Sequence, residues 1–116
     1  MNGFIYKIIN NVNNKIYIGK TLSSLENRFL EHKRDSIREG RKNRPLYKAM
    51  SKYGTDNFSI ELIEEVPIEI LSQREIYWIE FYNSYKYGYN ATKGGDGKQL
   101  YDYEAIVNRL FVWKIN

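Results

Sequence analysis

Phe4-Ile5-Tyr6-Lys7-Ile8-Ile9 and Lys15-Ile16-Tyr17-Ile18-Gly19, joined by Asn10-Asn11-Val12-Asn13-Asn14, are the stretch that decides how this chain folds. Two β-branched and aromatic runs flank a cluster of turn formers, which predicts a β-hairpin at the start of the chain. Placing Ile9 near Asn14 sets a register in which Tyr6 faces Tyr17, Phe4 faces Gly19 and Ile8 faces Lys15. Side chains alternate between the faces of a strand. One face then carries both tyrosines, and the other carries Ile5, Ile9, Ile16 and Ile18, enough to seed a core. Taken alone, the tyrosines read as ordinary cross-strand aromatic packing.

Beyond the hairpin, Ser23 or Ser24 can cap a helix running from about Leu25 to Glu39 and ended by Gly40. Arg41 to Arg44 reads as a basic loop closed by Pro45, followed by a short helix over Leu46 to Lys52 that Tyr53-Gly54 stops. Phe58, Ile60 and Leu62 alternate with Ser59 and Glu61, a strand signal. Pro67 opens a long helix to about Asn83. Tyr87 to Ala91 reads as a brief extended segment, Lys93 to Lys98 as a glycine-rich loop, and Tyr103 to Trp113 as a last helix. The expected fold is α/β, a small three-stranded antiparallel sheet flanked by helices.

Composition narrows the function. The 116 residues fit one domain. The absence of cysteine rules out a disulfide framework, a Cys-based zinc site and a thiol nucleophile, and one histidine rules out a His-rich zinc site. No apolar run is long enough to span a membrane, and Met1-Asn2-Gly3 opens no secretory signal, so a soluble cytoplasmic protein is expected. The net charge of +4 is uneven: residues 1–60 carry +7 and residues 61–116 carry −3. Nine basic and three acidic side chains lie between Arg28 and Lys52, a field that attracts polyanions such as nucleic acid. The plainer reading is a solvated helix face.

Helical phase singles out three polar residues. Leu25, Phe29 and Ser36 share one arc of the first long helix, with His32 inside it and Arg28 one turn before. Leu30 and Ile37 fall outside that arc, which predicts a second buried side. In the second long helix Ile68, Leu71, Ile79 and Tyr82 form a stripe with Glu75 at its centre. A carboxylate there must be paired or bind a cation. The competing readings are a packed core histidine, a snorkelling arginine and a structural ion pair. Gly94-Gly95-Asp96-Gly97 lacks the strand before and the Lys-Ser/Thr after that a nucleotide-phosphate loop requires, so no nucleotide cofactor is expected.

These residues resemble the GIY-YIG nuclease family. Its first half-motif is matched by Phe4-Ile5-Tyr6 after Gly3, and its second by Tyr17-Ile18-Gly19 before Lys20-Thr21. The helical Arg and His are matched by Arg28 and His32, the metal-binding Glu by Glu75 and the late Asn by Asn90 in Gly88-Tyr89-Asn90. The run Ala91 to Gly97 looks like the phage-type and intron-type homing branch. Two departures stand out. Phe4 occupies the place of a Gly, which bears on the cleft or the hairpin edge, and no His lies near Arg41 to Arg44.

The resemblance implies a metal-dependent DNA endonuclease with one Mg²⁺ or Mn²⁺ on Glu75 and with Tyr6 as general base. It further implies that Tyr17 and His32 orient or relay that proton, that Arg28 holds the scissile phosphate, and that Asn90 positions Glu75 or a tyrosine. Gly19, Lys20, Lys33, Arg41, Arg44 and Lys48 are expected at the DNA. Residues 1–97 are expected to form the catalytic domain, and 98–116 a C-terminal helix or the start of a linker to a DNA-binding domain. The expected setting is the cytoplasm of a bacterial or phage-infected host cell. The alternatives are a catalytically silent nucleic-acid-binding module of the same fold, a restriction or repair nuclease, and a structural domain with accidental matches.

Overall fold

The hairpin forms, with its register displaced by two residues. In the computed structural model, which describes residues 1–94, β1 (Asn2–Asn10) pairs with β2 (Ile16–Thr21) so that Tyr6 lies opposite Gly19 and Ile8 opposite Tyr17. The turn is the cause. Asn10 N–H donates to the Lys15 carbonyl at 2.9 Å, and Asn14 takes the left-handed conformation with φ 65°. The side chains of Asn10 and Asn13 accept from the backbone of Val12 and Lys15, which stabilises a longer turn than the expected one. An even displacement leaves every side chain on its face, so Tyr6 and Tyr17 still point the same way.

After the hairpin come α1 (Leu25–Asp35), α2 (Pro45–Tyr53), β3 (Phe58–Pro67), α3 (Leu71–Tyr82) and α4 (Ser84–Tyr87). The sheet is antiparallel in the order β2-β1-β3, the three-stranded sheet with helices that the sequence predicts. Between Ile5 and Tyr6 the β1–β3 pairing slips past Ile63, a bulge beside the first tyrosine. Phe4, at the position of a glycine in the first half-motif, pairs with Thr21 and Glu65.

Both faces of the sheet are covered. Tyr6 and Ile8 pack with Leu46, Tyr47, Ala49 and Met50 of α2, and Leu25 and Phe29 of α1 close over them. On the reverse, Ile5, Ile18 and Val66 pack with Leu71 and Ile79 of α3. Each such aliphatic side chain contributes about 1.5–3 kcal/mol by leaving water.

Helix boundaries differ from expectation for local reasons. Ser24 caps α1 by accepting from Asn27 N–H. The helix stops at Asp35, short of Glu39. There Ser36 Oγ turns back to the Lys33 carbonyl, and Asp35 draws Arg38 and Arg41 into the following turns. Leu30 and Ile37 are 56% and 81% exposed, so α1 has no second buried side. Pro45 occupies the first turn of α2, and Gly54 ends it at φ 87°. A 3-10 turn over Ile68–Ile70 replaces the expected start of α3. Tyr87 closes α4 instead of opening an extended segment. The expected helix over Tyr103 to Trp113, the loop beyond Gly94 and the segment 98–116 lie outside the described residues. Among the described residues no helix is long and apolar enough to cross a membrane.

Candidate active site

A cleft of about 1380 Å³ opens between α3, the chain after α4, and the region from α1 to α2. Tyr17 from β2, Arg28 from α1, Glu75 from α3 and Asn90 from the segment after α4 line it together. Lys20, Arg34, Arg38, Arg41 and Arg44 add positive charge, against the carboxylates Glu31, Asp35 and Glu75.

Tyr6 and His32 lie behind this wall rather than on it. Tyr6 is 0% and His32 1% exposed. Tyr6 Oη is 2.7 Å from His32 Nε2, and His32 Nδ1 is 2.8 Å from Tyr47 Oη. The Tyr17 ring meets the imidazole edge-on at 5.3 Å and the Tyr6 ring at 6.4 Å. Gly19 explains how Tyr6 fits: a Cβ at this position would overlap its ring. The glycine of the second half-motif is therefore a packing requirement.

Burial sets the titration of these groups. It pushes the Tyr6 phenol well above its ordinary value, aided by Tyr17 and opposed by Arg28. Burial and the Glu75 charge push Tyr17 up as well. Burial, with the Arg28 and Arg44 charges, lowers His32 to about 3, so the imidazole is neutral. Burial works against the Arg28 charge, but the two phenols and Glu31 outweigh it and hold the guanidinium firmly charged. Arg28 Nη1 bonds Glu31 at 2.9 Å, while its Nε is buried with no hydrogen-bond partner among the described residues.

Lys20 Nζ lies 3.4 Å from Glu75 Oε1 and 3.2 Å from Ser72 Oγ. The ion-pair reading of Glu75 thus has a physical basis, although the same carboxylate lines an open cleft. Among the described residues no three His, Cys, Asp or Glu side chains gather to cage a metal. The Glu75 carboxylate, on a wide polar cleft, fits a hard divalent cation that keeps most of its water, as Mg²⁺ does. It does not fit the closed nitrogen and sulfur set of structural zinc.

Asn90 touches neither Glu75 nor a tyrosine by hydrogen bond. Its Oδ1 accepts from Ile18 N–H at 2.8 Å and from Ser84 Oγ at 2.7 Å, and its Nδ2 donates to the Ile18 carbonyl at 2.8 Å. It holds the backbone between Tyr17 and Gly19. Among the residues expected at DNA, Lys20, Arg41 and Arg44 reach the cleft. Lys33 packs its ammonium 4.4 Å over Phe29, and Lys48 sits in a separate shallow groove with Lys42 and Lys52. Tyr47 and Glu31 escaped the sequence reading. Tyr47 lies in the apolar run Leu46-Tyr47-Lys48-Ala49-Met50 and reads as core. Glu31 carries only an (i, i+3) signal to Arg28.

The family model of the GIY-YIG catalytic domain matches residues 2–90. The chain belongs to the GIY-YIG family. A solved mutant of the catalytic domain of intron endonuclease I-TevI superimposes with a TM-score of 0.72 at 29% identity, covering 84% of this chain and all of that one. Among curated relatives, Intron-associated endonuclease 1 of Enterobacteria phage T4 is 34% identical over 92 residues, 78% of this chain and 37% of its own length. Protein 146R of Invertebrate iridescent virus 6 is 42% identical over 98 residues, 84% of this chain and 38% of its length. The chain is thus a GIY-YIG nuclease domain similar to homing-endonuclease catalytic domains, and it spans about two-fifths of the relatives it matches.

Proposed function

We propose that this GIY-YIG domain hydrolyses phosphodiester bonds in DNA with one bound Mg²⁺ or Mn²⁺, as the catalytic part of a homing-type endonuclease. The observation that carries the reading is the meeting of Tyr17, Arg28 and Glu75, from three separate elements, on one cation-rich cleft. Each has a bland explanation alone; their convergence does not. Residues 1–97 form the catalytic part in this reading, and 98–116 lead toward a DNA-binding region.

Glu75 would hold the metal, which would supply charge stabilisation at the phosphate and activation of water. Arg28 takes a non-bridging phosphate oxygen, since its guanidinium lines the cleft and such a group pairs well with phosphate. Tyr17, on the cleft wall, orients the attacking water, and as it takes that water's proton it gives its own hydroxyl proton to solvent in the cleft. Tyr6, wholly buried, supports Tyr17 and Arg28 from behind, which reverses the assignment implied by family resemblance. Lys20, Arg41 and Arg44 steer the DNA backbone into the cleft.

The test is nicking of supercoiled plasmid with Mg²⁺, with Mn²⁺ and with EDTA. Cleavage is expected with either metal and none with chelator. Glu75→Ala should abolish it with an unchanged circular dichroism spectrum, and Arg28→Ala should slow it by roughly 10²-fold. Full cleavage by Glu75→Ala would remove the metal role. The Lys20–Glu75 ion pair favours a second reading, a silent binding module of the same fold. That reading expects DNA binding without cleavage under any metal.

A further inference from the structure

Lys48 falls outside the cleft, and the place it occupies has a charge pattern of its own. A groove of about 480 Å³ runs beside α2, with Lys42, Lys48, Lys52, Asn43, Ser51 and Ile37 on its walls. The described residues that line it include three lysines and no carboxylate. The cleft, by contrast, sets three acidic side chains among its cations. Lys42 is held by exposed Glu39 at 2.9 Å, but Lys48 and Lys52 make no ion pair among the described residues. Lys52 rests its ammonium 5.2 Å over the Tyr53 ring, which leaves its charge unneutralised. The exposed Asn43 amide and Ser51 hydroxyl are further donors. The core takes the opposite face of α2, through Leu46, Tyr47, Ala49 and Met50, so the lysine face carries no packing role.

This groove adjoins the cleft. Ile37, 81% exposed, lines both. Pro45, Leu46 and Tyr47, at the N-terminal end of α2, line the cleft, and Lys48, Ser51 and Lys52 line the groove. The nine residues of α2 span about 13 Å, or about four nucleotide steps of one strand at 3.4 Å each. Lys48 and Lys52 stand one turn apart on the same side of the helix. We infer that the groove is a second backbone site for duplex DNA: Lys48 and Lys52 neutralise phosphates that flank the cut, a few nucleotides from the phosphate in the cleft. The inference rests on the nuclease reading for where the cut lies, but the binding does not depend on cleavage. Phosphate contacts of this kind add affinity and fix the direction of the duplex across α2 without reading sequence.

The test is a fluorescence titration of the full chain with a labelled duplex at several salt concentrations. Each phosphate contact contributes about 0.9 to the salt slope, so Lys48→Ala/Lys52→Ala should make the slope shallower by about 1.8. Between about 50 and 200 mM salt the wild type should then lose about tenfold more affinity than this variant. A matched variant, Lys15→Ala/Lys86→Ala, removes the same charge from exposed positions that line neither cavity, and should keep the wild-type slope. A slope unchanged in the groove variant, or lowered as far by the matched variant, would overturn the inference. A wild type that nicks no plasmid with either metal, while the slope falls in the groove variant alone, supports the groove and counts against the nuclease reading only. Nicking by a wild type whose slope all the variants share counts against the groove only.

Discussion

His32 has its ordinary pKa of 6.5 in an unfolded chain and one of about 3 in the fold, because burial and the nearby Arg28 and Arg44 charges disfavour the imidazolium. The consequence for stability has a definite sign. Between these values the unfolded chain binds a proton that the folded one refuses, so stability is intact above pH 6.5 and falls as the pH drops toward 3. The slope from this one group is roughly 1.4 kcal/mol per pH unit. Thermal melts across that window should show the loss, and His32→Gln should flatten it. The position of His32 was legible, since helical phase puts it on the apolar arc. Its neutrality and its second phenol were not, because they depend on α2 closing over it from elsewhere in the chain.

β2 is an edge strand, and its outer rim is closed by a clamp rather than by another strand. Tyr89 N–H bonds the Ile16 carbonyl at 2.9 Å, and the Asn90 amide pairs with both backbone groups of Ile18. Gly88 allows the approach, since a Cβ there would overlap the Ile16 carbonyl. The clamp protects the edge and holds Tyr17 at the cleft. Asn90→Ala leaves buried backbone groups unpaired and should cost about 1–3 kcal/mol, read from the shift of a urea unfolding midpoint. The hairpin tyrosines, the apolar faces and the stripe of α3 were readable from period alone. The two-residue displacement was not, because side-chain caps within the Asn-rich turn choose its length. Nor was the clamp, whose partners lie 72 residues apart.

Across the whole molecule, the basic surplus of the first half becomes directional: six basic side chains share the cleft with three acidic ones. Backbone neutralisation, with no base-reading element among the described residues, predicts weak, salt-sensitive binding with little sequence preference. With Lys20, Arg28, Arg41 and Arg44 each meeting a phosphate, the cleft's share of the slope of log affinity against log salt should be roughly −3.6 on duplex DNA. A fluorescence titration between low and moderate salt checks it, and nanomolar binding indifferent to salt would contradict it. The reverse of the sheet carries a different surface, where Tyr77, Trp78, Phe81 and Tyr82 of α3 form a run of ring contacts and Phe81 is 62% exposed.

Local patterns were enough to establish the hairpin, the three longer helices and the flanked antiparallel sheet, and to single out Tyr6, Tyr17, Arg28, His32 and Glu75, while Asn90 entered only through the family resemblance. Alternation and helical phase act over a few neighbouring residues, and those are adjacent in the chain. Packing alone separated the tyrosine on the cleft wall from the one buried behind it. It also paired Lys20 with Glu75, joined Tyr47 to His32 and turned Asn90 from a site contact into a clamp. Each of these is a meeting of distant segments, and its geometry depends on how helices close over both faces of the sheet.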